Sequence, residues 1–136
     1  METVVAERFI ATKLLADGQL TAIVGQRVYA YLAPAGATFP YVVFQLQAPS
    51  QDVRGVGPVR VMSDLLYAVK VIGKDQAFSA LEAAANRITS VLHAASGAVT
   101  GGTVVACVRE YPLSYLEIDS GVIYRHLGGI FRVYAQ

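Results

Sequence analysis

Tryptophan is absent from this 136-residue chain, and cysteine occurs once. The lone Cys107 excludes an intrachain disulfide and any cysteine cluster around a metal. It sits in the apolar run Val104 to Val108, where a thiol is expected to be buried and inert. Charge is scarce too: Asp, Glu, Lys and Arg make up 15% of residues, against about 25% in an average globular protein. The 11 basic and 10 acidic residues nearly cancel. The basic residues are scattered singly from Arg8 to Arg132, without the basic face of a nucleic-acid reader. That argues against direct recognition of DNA or RNA, though not against a pore that nucleic acid passes through. Membrane-length apolar runs are missing as well. Val28 to Gln51 is uncharged, but Pro34, Pro40 and Pro49 break it. Ile88 to Val108 is also uncharged, but it carries Ser90, His93, Ser96, Thr100 and three glycines. Neither is a run of about 20 predominantly apolar residues, so no membrane partner is expected. The N-terminus, METVVAERF, has early acidic residues and no long apolar stretch. It does not read as a secretory signal, which points to synthesis in a reducing cytoplasm.

What is present in excess is apolar surface. Hydrophobic residues are 54% of the chain, much of it alanine. With no membrane segment, the surplus is expected to be buried against copies of the chain or against partners. The length fits one domain spanning 1–136, long enough to bury a core.

Periodicity gives the elements. Thr3 to Ala16 reads as a helix capped by Thr3, with Glu7 near its positive end and Val5, Phe9, Ile10 and Leu14 as its apolar stripe. Asp17-Gly18 stops it, and Gln19 to Val24 reads as a short helix closed by Gly25. Arg27 to Leu32 is a first strand. Pro40 suits the start of the next, Tyr41 to Gln47, in which Val42, Phe44 and Leu46 face one way. Residues 48–58, with two prolines and two glycines, read as a projecting loop. Val59 to Gly73 reads as a long strand with Val61, Leu65, Tyr67, Val69 and Val71 on one face. One long helix is expected over 75–95, capped by Asp75, with Phe78, Leu81, Ala85, Ile88 and Leu92 on one side. Ser96-Gly97 ends it. Thr103 to Tyr111, Leu113 to Ile118 and Val122 to Ala135 read as further strands. Gly128-Gly129 marks a bulge or a close backbone approach in the last of them. The class is therefore α+β: a mainly antiparallel sheet with the long helix packed on a face and an N-terminal helix. Sequence does not fix the strand order, and the final strand can lie in the middle.

Catalytic constellations are not evident. His93 lies on the polar side of a helix without a Cys, Asp or Glu at ligand spacing, which favours a solvated or interface role. His126 would need Asp119 or Glu117 beside it to act as a base, and a small oligomeric enzyme or ligand-binding domain built on His126 and Asp119 is one alternative. Gly55-Val56-Gly57 precedes a strand and lacks a third glycine, so it is no dinucleotide fingerprint. The eight tyrosines all fall in or beside strands, where rim packing or a subunit interface is a better reading than a ligand platform. No metal or cofactor is implied.

The stretch Leu14 to Gln45 carries a resemblance. Its helix end, turn, short helix and two strands, with Asp17, Leu20, Val24-Gly25, Arg27-Val28-Tyr29, Pro34 and Pro40-Tyr41-Val42-Val43, resemble the tail terminator, or tail completion, proteins of long-tailed bacteriophages. The helix Phe78–Leu92 and the closing Tyr124-Arg125 step before Ile130 to Tyr134 extend the likeness. The resemblance implies a virion protein made in the bacterial host's cytoplasm, acting as a homo-oligomer, a hexameric ring. The ring would cap the tail tube protein, end polymerisation and present its other surface to the head–tail connector or stopper, with DNA crossing the lumen unread. Another neck or head-closure component is a second reading. Contact residues are then expected in the projecting loop, with Asp52 and Arg54 as charged anchors and Arg60 beside them. Glu117, Asp119 and Arg125 are candidates for ion pairs between subunits.

Overall fold

The computed structural model describes residues 1–136, the side chains of Ala48 and Pro49 excepted. In chain order the elements are α1 (Glu2–Leu15), α2 (Gly18–Val24), β1 (Val28–Ala30), β2 (Tyr41–Arg54), β3 (Arg60–Lys74), α3 (Phe78–Leu92), β4 (Ala95–Val99), β5 (Gly102–Asp119) and β6 (Val122–Ala135). Six strands form one curled sheet in the order β1-β2-β3-β6-β5-β4. The final strand β6 thus lies centrally. Only β1 and β2 pair in parallel, so the sheet is mixed. The class is α+β, but the expected single long helix is replaced by two of similar length, α1 with 14 residues and α3 with 15. The sheet is the larger part of the molecule.

The helices cover one face of the sheet. Val42, Phe44, Leu65, Tyr67, Val69, Val71, Phe131 and Val133 meet Val5, Phe9, Ile10 and Leu14 of α1 and Leu81, Ala84, Ile88 and Leu92 of α3 in one core. The alternation of β2 and β3 set this pattern, since side chains of successive residues point to opposite faces. Cys107 lies at the bottom of the same core, and burial pushes its thiol up to about 12. Tyr67 is also fully buried; its hydroxyl donates to Glu7 Oε2 at 3.0 Å and so ties β3 to α1.

Helix boundaries differ from those the sequence predicts. Asp17 does not simply end α1; it caps α2 by accepting from the Leu20 amide at 3.0 Å. The same carboxylate takes Nε and Nη2 of Arg87 on α3 at 3.0 and 2.9 Å, and this ion pair holds it below the ordinary carboxylate range. Asp75 does not cap α3, whose N-cap is Ala77; its backbone and carboxylate instead bond to Ile123 beside the β5–β6 turn.

The strands depart further. The stretch read as a projecting loop is mostly ladder: β2 runs on to Arg54, paired with β3 down to Arg60, and only residues 55–59 form the turn. Register shifts at Gln47/Gln51 and Val53/Arg54 absorb the residues that cannot pair regularly. Pro112 does not divide β5, which is continuous for 18 residues with a bulge between Arg109 and Tyr111. Strand β4 occupies the segment expected as a helix terminus. Gly128 is a close approach: a Cβ there would lie 2.0 Å from the Val69 carbonyl oxygen, so only glycine lets β6 lie against β3 at this point.

Candidate functional site

The candidate site is a set of surfaces rather than a cavity. The β2–β3 hairpin forms an arm past the level where β3 leaves β6, at Ser63 and Ala135. Its base is polar. Asp52 accepts from Ser63 Oγ at 3.0 Å, and Arg60 Nη1 sits 2.5 Å from Glu2 Oε1 at the start of α1. The Arg60 hydrogen bond holds the Glu2 carboxyl below its usual range. Asp52, Arg60 and Ser63 line an open cleft with Glu2 and Thr3. Arg54 lies beyond, exposed, with no ion pair among the described residues. The tip is apolar: Val56 is 100% exposed and Val59 64%. Asp52, Arg54 and Arg60 therefore share one arm, as the sequence placed them, but two of the three already have partners within the chain.

Glu117, Asp119 and Arg125 lie on the β5–β6 hairpin. Arg125 turns inward, donating to the Gln76 carbonyl at 2.9 Å and lying over the Phe78 ring. Asp119 is exposed at the turn beside Ser120. Glu117 accepts from His126 Nε2 at 2.6 Å. Leu116 and Ile118, on the opposite side of the strand, are 48% and 67% exposed.

The helix-free face of the sheet holds a polar row that the sequence reading missed. Lys70, 7% exposed, donates to the Tyr115 hydroxyl at 2.5 Å. The Tyr115 ring stacks on His126 with centroids 4.3 Å apart and planes 12° from parallel. Burial, followed by the Lys70 charge, lowers the His126 pKa below the ordinary histidine value, despite the opposing pull of Glu117. His126 is therefore neutral at pH 7: Nε2–H donates to Glu117, and buried Nδ1 has no partner. Further along, Arg132 joins Asp64 at 2.5 Å and also Glu110. The signal was available: Asp64 and Lys70 alternate with core residues in an otherwise apolar strand. His126 and Glu117 do meet, as one reading asked, but Asp119 does not join them, and His126 lines neither the cleft beside Arg60 nor a second one between residues 33–39, Tyr41, Lys74 and Tyr124. His93 is exposed, and its Nδ1 accepts from the Arg109 amide at 3.1 Å, at the end of β4. Among the described residues no group of His, Cys, Asp and Glu could hold a metal ion.

The sequence matches the family Tail completion protein gp17 over residues 8–123. The chain belongs to this tail completion family. Among solved structures, a chain from the virion of a native gene transfer agent particle is similar, with a TM-score of 0.75 at 20% identity over 98% of this chain and 96% of that one. At that identity the likeness concerns the fold. No curated protein matches. Membership makes the protein a structural, non-enzymatic component of a phage or phage-like virion tail, and the resemblance carried by Leu14 to Gln45 is correct at the level of the family. No helix is long and apolar enough to cross a membrane.

Proposed function

We propose that this protein forms a ring of identical subunits that caps the tail tube, halts its growth and provides the surface for head joining. The observation that carries this reading is the pairing of family membership with exposed apolar groups at both hairpins, Val56 and Val59 on one and Leu116 and Ile118 on the other. Apolar side chains displayed at two separate ends of a rigid sheet suit contacts on two sides of a subunit. Six copies are the ring number that the family likeness suggests, with the tube protein below, the connector or stopper above, and DNA crossing the lumen without being read. The scattered charges suit that passive passage.

Deleting the gene and measuring tails by electron microscopy tests the capping role. Overlong tails are expected. Tails of normal length that fail to join heads would replace capping with a connector role, that of a neck or head-closure component.

A further inference from the structure

The sheet ends unevenly. On one side β1 pairs with β2 only over Val42–Phe44, and its last rung is the Tyr31 amide on the Phe44 carbonyl at 2.9 Å. On the other side β4 pairs with β5 only as far as Cys107, and His93 Nδ1 then takes the Arg109 amide. Beyond these points, residues 45–54 of β2 and 110–119 of β5 have no strand on their outer side among the described residues. Two open edges of equal length are unusual, because an unpaired ladder invites another chain.

We propose that, in the ring, β5 of one copy pairs with β2 of the next through these two open edges, making one continuous sheet around the assembly. This rests on the ring reading above. Direction supports it. Strands β2, β3, β6 and β5 alternate, each antiparallel to its neighbour. β2 and β5 therefore run oppositely, and a second copy set with its β2 against β5 continues the alternation unbroken. The contact joins two different edges, so it repeats by rotation and can close. A contact of β5 with β5 would use one edge twice, leave β2 open and stop at a dimer.

The position of the short strands sets the register. Within a subunit Gln45 stands level with Tyr111, through Ala68 and Ile130. A copy placed level would drive its β1 into β5. Sliding it by six residues brings Phe44, the last residue that β1 covers, level with Ile118 at the tip of β5. Sliding it by eight superposes the open edges end to end. These slides are about 20–26 Å at about 3.3 Å per residue. Across four strands about 4.8 Å apart, the shorter slide tilts the strands by about 46°, next to the usual upper limit of about 45° for closed barrels. Charge separates the two slides. The open part of β5 carries Glu110, Glu117 and Asp119 and no base, and the open part of β2 carries Asp52 and Arg54 beside Gln45, Gln47 and Gln51. The longer slide sets Arg54 opposite Glu110, whereas the shorter one sets Asp52 there.

Gln45, Glu117 and Asp119 all stand on the helix-free face, so paired cysteines there would face each other across the contact. The test is to purify particles from phage carrying Gln45→Cys with Glu117→Cys, and Gln45→Cys with Asp119→Cys, and to image their tail ends and run them on non-reducing gels. The expected result is a ladder of linked oligomers for at least one pair, absent from each single variant. Capped tails without links in either pair would overturn the edge pairing and leave the ring intact. Tails lacking this protein at their ends would overturn the ring itself. A dimer from Glu117→Cys alone would show β5 meeting β5 and also end the proposal.

Discussion

His126 shows how one side chain couples the helix-free face to pH. It is buried, stacked on Tyr115 and near Lys70, with an unpaired Nδ1. Protonation would put a second cation beside the Lys70 ammonium in a poorly solvated site, so the folded chain resists it. The folded-state pKa is depressed, which means the unfolded chain binds the proton more readily. Stability from this group is therefore complete above about pH 6.5, the unfolded value, and is lost as pH falls towards the folded value. Urea unfolding of wild type and His126→Gln between pH 7.5 and 5 checks this. The wild-type midpoint should fall more steeply on acidification than that of the variant, and parallel curves would remove His126 as the cause.

At the scale of elements, Asp17 joins three helices: it ends α1, caps α2 and clamps Arg87 of α3. Asp17→Ala should cost about 1 kcal/mol for the lost cap alone, before the clamp to α3 is counted. Thermal unfolding should show a Tm lower by at least about 4 °C, with Asp17→Asn, which keeps an acceptor for the Leu20 amide, falling between. Sequence carried Asp17 as a stop signal because short polar residues and glycine mark both ends and starts of helices. It could not carry Arg87, 70 residues away. The same divide runs through the sheet. The alternation of Val42 to Leu46 and Leu65 to Val71 was legible, since burial on one face leaves a period of two. The arm was not, because Pro49, Gly55, Gly57 and Pro58 signal a loop even where register shifts let the ladder continue (the side chains of Ala48 and Pro49 lie outside the described residues). Strand β4, with the sequence Ala-Ser-Gly-Ala-Val, has too few large side chains to show a period. Pro112 looked like a strand break, yet it stands level with Gly129 in the ladder with β6, in an edge stretch of β5 that β4 does not cover. Of the candidate contact residues, their grouping on two hairpins was legible. The meeting of Glu117 with His126 was raised by the turn between them, but the engagement of Arg60 by Glu2 and of Arg125 by Gln76 was not, since those partners come from parts of the chain that no local pattern links to them.

For the whole molecule, the consequence is that its work is done by surfaces held in fixed relation by one stiff sheet. Arg54 is the test at this scale, being exposed on the arm and free of ion pairs among the described residues. Arg54→Glu should leave the unfolding midpoint within about 0.5 kcal/mol of wild type, as surface substitutions usually do. It should also lower the yield of joined, infectious particles at least tenfold, read by plaque count and by electron microscopy of tails. A normal yield would show that the arm makes no charged contact that matters.

The three residues of β1 and the five of β4 add little to the core, and their size is the point. A protein with two sticky borders could stack indefinitely, as amyloid does, at any offset that satisfies the backbone. A short obstacle on each border forbids all but a narrow set of offsets, and with them all but a narrow set of angles between neighbours. Fixing the angle is what separates a closed circle from a fibre. On the edge pairing proposed above, trimming either obstacle is expected to let copies stack at other offsets into open fibres.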